Sequence, residues 1–490
     1  MSLARKAAGA AFWVGLTTYV SQIVGFLANI ALMRLIAPEA FGVLSLAMTI
    51  VIFGRKVIGF GFNYALIHRQ EELPNAVGAH LTLNAASAIL IFGASLVATP
   101  IVGHFYDRLT ALVLVGVALE AAFEYAGYTP RLLLEKEVNF RGLMLVNLGV
   151  TIGVNLLAVG LAWGWPHVWF LRGLPIVWAL VVRLALSQLA TTVGYWWLNR
   201  RIPLARPSLA MLRWFFQFGA PLWISGVASF AVYQWDNWLV GTIIDEKALG
   251  FYDRAYQLAL LPTTMVTGIV ARVAFPLYSQ LQRDRERLSE AFATVVRLIV
   301  LLSAPAAVGL AFCAPEFVSV VFGAKWAPMA TLLRLLLLYQ VMRPLFDDAG
   351  ELFAAVGQPR LISRIQLWQT GVMALLTPAA VYSYKAEGAA VAVGVVMLVG
   401  VVLAYRNIRP FVTMNVWRVI VLPIGLCLAA AGPAEWALGR LPPAAPAALL
   451  FEKIGLYAVS TAALVGATQG RQLWREFKIV RVRLQKREAK

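Results

Sequence analysis

The chain has 490 residues, of which 60% are hydrophobic and 13% charged, with a formal net charge of +18 and a mean hydropathy of +0.75. Soluble domains carry about 25% charged residues, so a water-soluble fold is excluded for most of the chain and an all-α integral membrane protein is expected. The basic excess does not imply nucleic acid as a partner. Lys and Arg fall between hydrophobic runs with no recognition motif beside them, which is the pattern of membrane topology and anionic lipid contact.

Met1 to Lys6 is short and basic. The apolar run behind it is too long for the core of a signal peptide, and it is expected to persist as a first transmembrane helix over Phe12–Met33. Further apolar runs follow at Val43–Ile67, Gly78–Val102, Leu109–Tyr128, Leu143–Trp163, Leu174–Leu198, Trp214–Ile244 and Ala255–Tyr278. The remainder are Ala291–Cys313, Met329–Val356, Ile362–Tyr384, Gly388–Tyr405, Val416–Ala431 and Ala444–Ala467. Each approaches or exceeds the roughly 20 residues that cross a bilayer, giving about fourteen helices.

Alternating the loops from the N-terminus puts about 26 Lys and Arg on the N-terminal side and 8 on the other. The positive-inside rule then places both termini in the cytoplasm. No loop is long enough to hold a folded extramembrane domain.

Ala28–Gly42 aligns without gaps on Asp236–Gly250, with Asn29 on Asn237, Ala40 on Ala248 and Gly42 on Gly250. Six helices separate the copies, so the halves share one orientation, a common plan among transporters. The expected architecture is two parallel-repeat six-helix bundles around a central cavity: an N-lobe at 1–205 (helices 1–6) and a C-lobe at 206–410 (helices 7–12). Helices 13–14 at 411–470 and a basic cytoplasmic tail at 471–490 complete it.

Charged residues inside apolar helices are costly and face the protein interior or a wet cavity. The substrate-binding candidates are Arg55 and Lys56 on the second helix, Arg183 on the sixth, Asn237 on the seventh, Arg272 on the eighth and Arg343 on the tenth. Guanidinium and ammonium groups replace the hydration of a crossing phosphate or carboxylate through charge-assisted hydrogen bonds. Arg55 and Lys56 point about 100° apart on a helix, so one can face the cavity while the other pairs with an acid. Glu120 and Glu124, four apart and on one face, are the acids in question. Asp236, Asp347, Asp348 and Glu351 are assigned to ion coupling or structural pairing; a network of the last three with Arg343 and Arg360 is preferred to substrate contact. The tryptophans near helix ends, Trp223 among them, read as interfacial belts.

No catalytic constellation, metal site or cofactor motif is present in the sequence. Cys313 and Cys427 sit in apolar runs as packing residues, and the four histidines are scattered.

Several stretches carry a family resemblance. They are Arg34-Leu-Ile-Ala-Pro-Glu-Ala-Phe-Gly42; Phe60-Gly-Phe62 with Ala65-Leu-Ile67; and Asp236-Asn237 followed by Ala248-Leu-Gly-Phe-Tyr252, Ala255-Tyr256 and Pro262. Phe275-Pro276, Asp284-Arg-Glu-Arg287, Pro305, Gly309, Val321-Phe-Gly-Ala-Lys-Trp326 and Ala355-Val-Gly-Gln-Pro359 follow in order. Together they resemble the polysaccharide transporter (Wzx-type) family of the MOP flippase superfamily. The resemblance implies a multi-pass protein of the bacterial inner membrane. Its cargo would be undecaprenyl-diphosphate-linked oligosaccharide for capsule, exopolysaccharide or O-antigen assembly, carried by alternating access through a cationic cavity. A polysaccharide polymerase and a chain-length regulator are the implied partners, with membrane lipid around them. Two other readings are a cation-coupled multidrug exporter of the same superfamily and a membrane-embedded polysaccharide polymerase; the short outer loops argue against the second.

Overall fold

The computed structural model describes residues 3–69, 71–137, 140–168, 171, 173–200, 202, 205–441 and 445–488. Side chains of 3–14, 16 and those from 469 on lie outside the described set, as do several within 221–232 and 263–273. Helices account for nearly all of the described chain, as a bilayer requires, because lipid offers backbone groups no hydrogen-bond partner. Among the described residues, eleven stretches are long and apolar enough to cross a membrane. Side chains such as Ile89, Val97, Leu375 and Phe451 stand outward on them, strongly exposed, which suits contact with lipid.

Two compact units divide the chain, Met1–Asp253 and Arg254–Lys490. The first holds α1 (Leu3–Leu35), α2 (Pro38–Ile58), α3 (Phe62–His68), α4 (Leu73–Phe105), α5 (Arg108–Lys136), α6 (Phe140–Gly164), α7 (Val177–Leu198), α8 (Leu209–Ile243) and the start of α9 (Glu246–Leu281). Local chemistry sets these starts. Pro38 opens α2 with Glu39 in its first turn, where a fixed φ and a negative charge suit the helix N-terminus. Asp107 caps α5 by accepting from the Thr110 amide at 2.6 Å, and Ser208 caps α8 by accepting from the Met211 amide at 3.1 Å. α5 packs against α2, α4 and α7, α1 against α6, and α8 against α2. Phe62, Leu66, Val77, Leu83, Leu133 and Phe215 close a buried core where α3, α4, α5 and α8 meet.

The second apolar run, read from sequence as one helix to Ile67, is broken instead. α2 ends at Ile58, where the Gly59 amide bonds back to Arg55 O at 2.9 Å. Phe60 and Gly61 then take positive φ values of 25° and 64° before α3 begins. Glycine adopts that region freely.

The two repeat segments meet within this unit. A Cβ on Gly42 would lie 1.6 Å from Glu246 O, and one on Gly250 would lie 2.2 Å from Pro38 O. Only glycine permits such backbone approach. Around this contact Lys247 Nζ pairs with Glu39 at 2.8 Å and Ser45 Oγ donates to Asp253 Oδ2 at 2.6 Å. The two side-chain pairs join positions equivalent by the repeat offset, and the two glycine contacts exchange with each other under it, so the starts of α2 and α9 face each other about a local two-fold axis.

The second unit holds the rest of α9, α10 (Arg285–Phe312), α11 (Ala314–Val321), α12 (Met329–Ala355), α13 (Pro359–Asn407), α14 (Leu422–Ala429), α15 (Ala431–Leu438) and α16 (Pro446–Glu488). Asp284 caps α10 by accepting from the Arg287 amide at 3.1 Å. α13 is a hairpin rather than one rod. Tyr384 and Lys385 leave helical geometry, Lys385 with φ 52°, and Gln369 Nε2 from the first arm donates to Val396 O of the second at 3.3 Å. The run expected at Val416–Ala431 opens on a π-helical turn, Trp417–Val421, and continues as α14 and α15 to Leu438. α16 is tied down by Lys453, which pairs with Glu316 of α11 at 2.9 Å, and by Tyr457, whose hydroxyl donates to Cys427 O at 3.2 Å.

Candidate functional site

The break after α2 creates the site. With its last turn free of a continuing helix, α2 presents Arg55 and Lys56 to a cavity of about 520 Å³ inside the first unit. The α2–α3 junction supplies Gly59, Phe60, Gly61, Asn63 and Tyr64; α4 supplies Asn84, α5 Tyr125 and Tyr128, and α8 Trp223 and Gly226. Trp223 props the break open. Its Nε1 donates to Val57 O at 2.7 Å, and its ring stacks on Phe60 with centroids 5.1 Å apart. This tryptophan, read from sequence as part of an interfacial belt, is a building piece of the cavity wall.

Arg55 lies between two carboxylates. One terminal nitrogen donates to Glu120 and the other to Glu124. The three side chains are 14–25% exposed, far enough from water for each charge-assisted bond to matter. Lys56, exposed on the cavity side, makes no hydrogen bond or ion pair among the described residues. Two cations and two carboxylates leave the group formally neutral. Lys56 thus faces the cavity without a partner among the described residues, whereas Arg55 is held by its two carboxylates.

Polar contacts behind the cavity fix its floor. His80, fully buried, bonds Thr129 Oγ1 through Nδ1 at 2.8 Å and Asn63 Oδ1 through Nε2 at 3.1 Å. Asn84 Nδ2 donates to His80 O at 2.9 Å. Asn63 and Asn84 both face the cavity, so His80 is a positioning residue for an amide-lined surface.

The remaining candidates lie elsewhere. Arg183 donates to Asn29 Oδ1 at 3.1 Å, joining α7 to α1. Asn237 is buried on α8, its Nδ2 donating to Gln234 Oε1 at 3.3 Å, and Asp236 Oδ2 accepts from the Tyr252 hydroxyl at 2.7 Å. Arg272 falls on α9 at a position whose side chain lies outside the described residues. In the second unit Arg343 donates to the Tyr339 hydroxyl at 3.0 Å, with Asp347 at 4.0 Å. Asp347, Asp348 and Glu351 border a small cavity with Thr267 and Pro344, and Tyr278 donates to Asp348 at 3.0 Å. The structure therefore brings together Arg55, Lys56, Glu120 and Glu124. Reasoning on charge alone missed Phe60, Trp223, Asn63, Asn84, Tyr125 and Tyr128; the glycines flanking Phe60 were the available signal.

Comparison with known proteins gives a consistent answer. A family model described as polysaccharide biosynthesis protein matches residues 31–331. The chain is 26% identical over 327 residues to the teichuronic acid biosynthesis protein TuaB of Bacillus subtilis, covering 66% of this chain and 65% of that one. It is 24% identical over 429 residues to the lipopolysaccharide biosynthesis protein WzxC of Escherichia coli, covering 86% and 82% respectively. The succinoglycan biosynthesis transport protein ExoT of Rhizobium meliloti is 26% identical over 366 residues, covering 74% and 70%. Among solved structures, the lipid II flippase MurJ in an inward closed conformation superposes with a TM-score of 0.74 at 13% identity, covering 94% of this chain and 99% of that one. An inward-facing MATE multidrug transporter of the MOP superfamily gives 0.61 at 16% identity, covering 79% and 95%. With an apolar helical chain and a family match over residues 31–331, this multi-pass inner-membrane protein has a MOP-type fold and belongs to the polysaccharide biosynthesis protein family.

Proposed function

We propose that the protein is a flippase, not an enzyme, that carries undecaprenyl-diphosphate-linked oligosaccharide units across the inner membrane for capsule, exopolysaccharide or O-antigen assembly. The observation that carries this reading is the polar cavity at the end of α2, lined by Arg55 and Lys56 within membrane-spanning helices, with Arg55 paired to Glu120 and Glu124 of α5. Such groups at membrane depth mark a substrate or ion path. The relatives named for teichuronic acid, lipopolysaccharide and succinoglycan support a glycan cargo, and the MurJ likeness supports a fold suited to flipping.

Adding α8 and α9 to the eleven apolar stretches, and dividing α13 at Lys385, brings the count to fourteen spans. With that count we read lobes at 1–205 and 206–410, helices 13–14 at 411–470 and a tail at 471–490, both termini being cytoplasmic by the positive-inside rule. The work at the site is an exchange. The diphosphate arrives beside Lys56 and competes with Glu120 and Glu124 for the Arg55 guanidinium, whose planar donors suit phosphate oxygens. The displaced carboxylates then need a cation of their own, a proton or a sodium ion, and that need couples the substrate to an ion gradient. Asp236, Asp347, Asp348 and Glu351 are the second group of coupling candidates. A polymerase and a chain-length regulator would receive the cargo on the far side.

Complementation of a deletion strain tests the reading, scoring surface polysaccharide and lipid-linked repeat units together. Accumulation of repeat units on the cytoplasmic face, relieved by the wild-type chain but not by Arg55→Ala at normal protein level, is the expected result. Normal polysaccharide in a strain with no paralogue would sink the glycan assignment and bring forward the multidrug-exporter reading.

A further inference from the structure

The first unit contains further polar space next to the charged site. A cavity of about 310 Å³ is lined by Glu124, the partner of Arg55, and by Tyr128. Asn147 and Thr151 of α6 and Ser187, Gln188 and Thr191 of α7 face it, and Tyr128 is shared with the Arg55 cavity. Asn147 and Thr151 also border a neighbouring cavity of about 370 Å³, whose further wall is the hydroxyl and amide run Thr17, Thr18, Ser21 and Gln22 of α1. The sizes fall in or near the range of about 300–1,000 Å³ typical of small-molecule sites.

This lining is unusual for membrane helices. Polar side chains there normally find partners on neighbouring helices. Here Thr151, Ser187 and Gln188 make no side-chain hydrogen bond among the described residues; only their backbone carbonyls accept one. Their side chains therefore hold no other part of the fold together. Asn147 is held in place, since the Tyr195 hydroxyl donates to its Oδ1 at 2.5 Å, and its Nδ2 has no partner among the described residues. The spacing is deliberate in geometric terms: Asn147 and Thr151 are four apart on α6, and Ser187 and Thr191 four apart on α7, so each pair shares a helix face. The α6 and α7 residues of the wall are uncharged. The α5 side carries Glu124 and Arg131, which are paired with Arg55 and Glu135. A cluster of hydroxyls and amides with tyrosine rings beside it, and its charges already paired, does not suit a phosphate, a drug cation or an apolar tail. It suits a neutral molecule that is itself covered in hydroxyls.

We infer that the wall formed by Asn147, Thr151, Ser187 and Gln188 is a sugar subsite, which holds the glycan of the cargo while Arg55 and Lys56 hold its diphosphate. This rests on the flippase reading and divides its site into two chemically distinct halves, which adjoin at Glu124 and Tyr128 of α5. The charged half recognises what all diphosphate-linked lipids share. The uncharged half distinguishes a lipid that bears sugar from one that does not, because a site built for hydroxyl partners leaves its own polar groups unpaired when the ligand lacks them.

The test uses the full-length protein in lipid nanodiscs with two ligands: lipid-linked repeat units extracted from a deletion strain that accumulates them, and undecaprenyl diphosphate without sugar. Wild type is expected to bind the glycan-bearing lipid more tightly. Gln188→Leu combined with Thr151→Val should cut that preference by about ten-fold, the loss of one or two hydrogen bonds, while binding of the bare lipid stays unchanged. Gln188→Asn should recover part of the preference, which a folding defect would not allow. Arg55→Ala should weaken both ligands alike. If the Gln188 and Thr151 variants keep the full preference, or lose both ligands in equal measure, the sugar subsite is wrong and the flippase reading survives. If wild type binds neither lipid, the flippase reading itself falls and the subsite with it.

Discussion

Replacing Arg55 by alanine removes a side chain that makes two charge-assisted hydrogen bonds, one to Glu120 and one to Glu124. Each such bond contributes about 1.5–3 kcal/mol, so the pair together represents about 3–6 kcal/mol. That agrees with the roughly 3–5 kcal/mol expected when one partner of a buried ion pair is deleted. The cost falls on the carboxylates, which at 14% and 25% exposure are left facing each other without a cation. The remedy follows from the same physics. A triple variant, Arg55→Met with Glu120→Gln and Glu124→Gln, removes every charge of the trio while preserving much of its volume, and such replacements are close to neutral for stability. The expected result is a single variant destabilised by several kcal/mol and a triple variant within about 1 kcal/mol of wild type, with transport absent from both. Unfolding in mixed micelles, read by tryptophan fluorescence beside a transport assay, separates the two quantities. A triple variant that regains transport along with stability would refute the reasoning, since the trio would then be only a structural brace.

Three further outcomes follow from the same geometry. Lys56→Gln should leave stability unchanged, because the side chain has no partner among the described residues, yet lower transport by ten-fold or more; a loss of stability equal to that of Arg55→Ala would contradict its place in the cavity. Lys247→Glu sets two carboxylates where Lys247 Nζ and Glu39 now meet at 2.8 Å and should lower stability by less than Arg55→Ala does, because the pair is exposed; a loss as large as that of Arg55→Ala would contradict this. Trp223→Phe keeps the stack on Phe60 but loses the hydrogen bond to Val57 O, which should cost about 0.5–1.5 kcal/mol in the same unfolding assay.

Much of the architecture was legible in the sequence for a simple reason: the bilayer makes apolar length a direct reporter of helices. The repeat was legible too, and its gapless register proves to be spatial, since Gly42 and Gly250 each pack against the backbone four residues before the other. Arg55 with Glu120 and Glu124 was readable because charge inside an apolar run cannot be hidden and the two acids share a face. Other features gave no such signal. The break at Phe60 lies within the run Val43–Ile67, where only paired glycines hinted at positive φ. The α13 turn, by contrast, was legible, since the apolar runs Ile362–Tyr384 and Gly388–Tyr405 part at Lys385. Trp223 looked like every other tryptophan near a helix end, because composition does not tell which ring finds a carbonyl. The uncharged groups on α6 and α7 were hardest to see, since Ser, Thr, Asn and Gln are common enough in membrane helices that only their convergence on one cavity distinguishes them.

The central claim is that this chain moves a diphosphate-linked glycan lipid, and reconstitution tests it most directly. Purified protein in liposomes loaded with extracted lipid-linked repeat units would be assayed for glycan accessible to an external glycosidase over time. Protein-dependent movement that is lost on replacing Arg55, Glu120 and Glu124 together is the predicted result. Glycan lipid that stays on its original leaflet while a lipophilic cation is expelled from the same liposomes would contradict it.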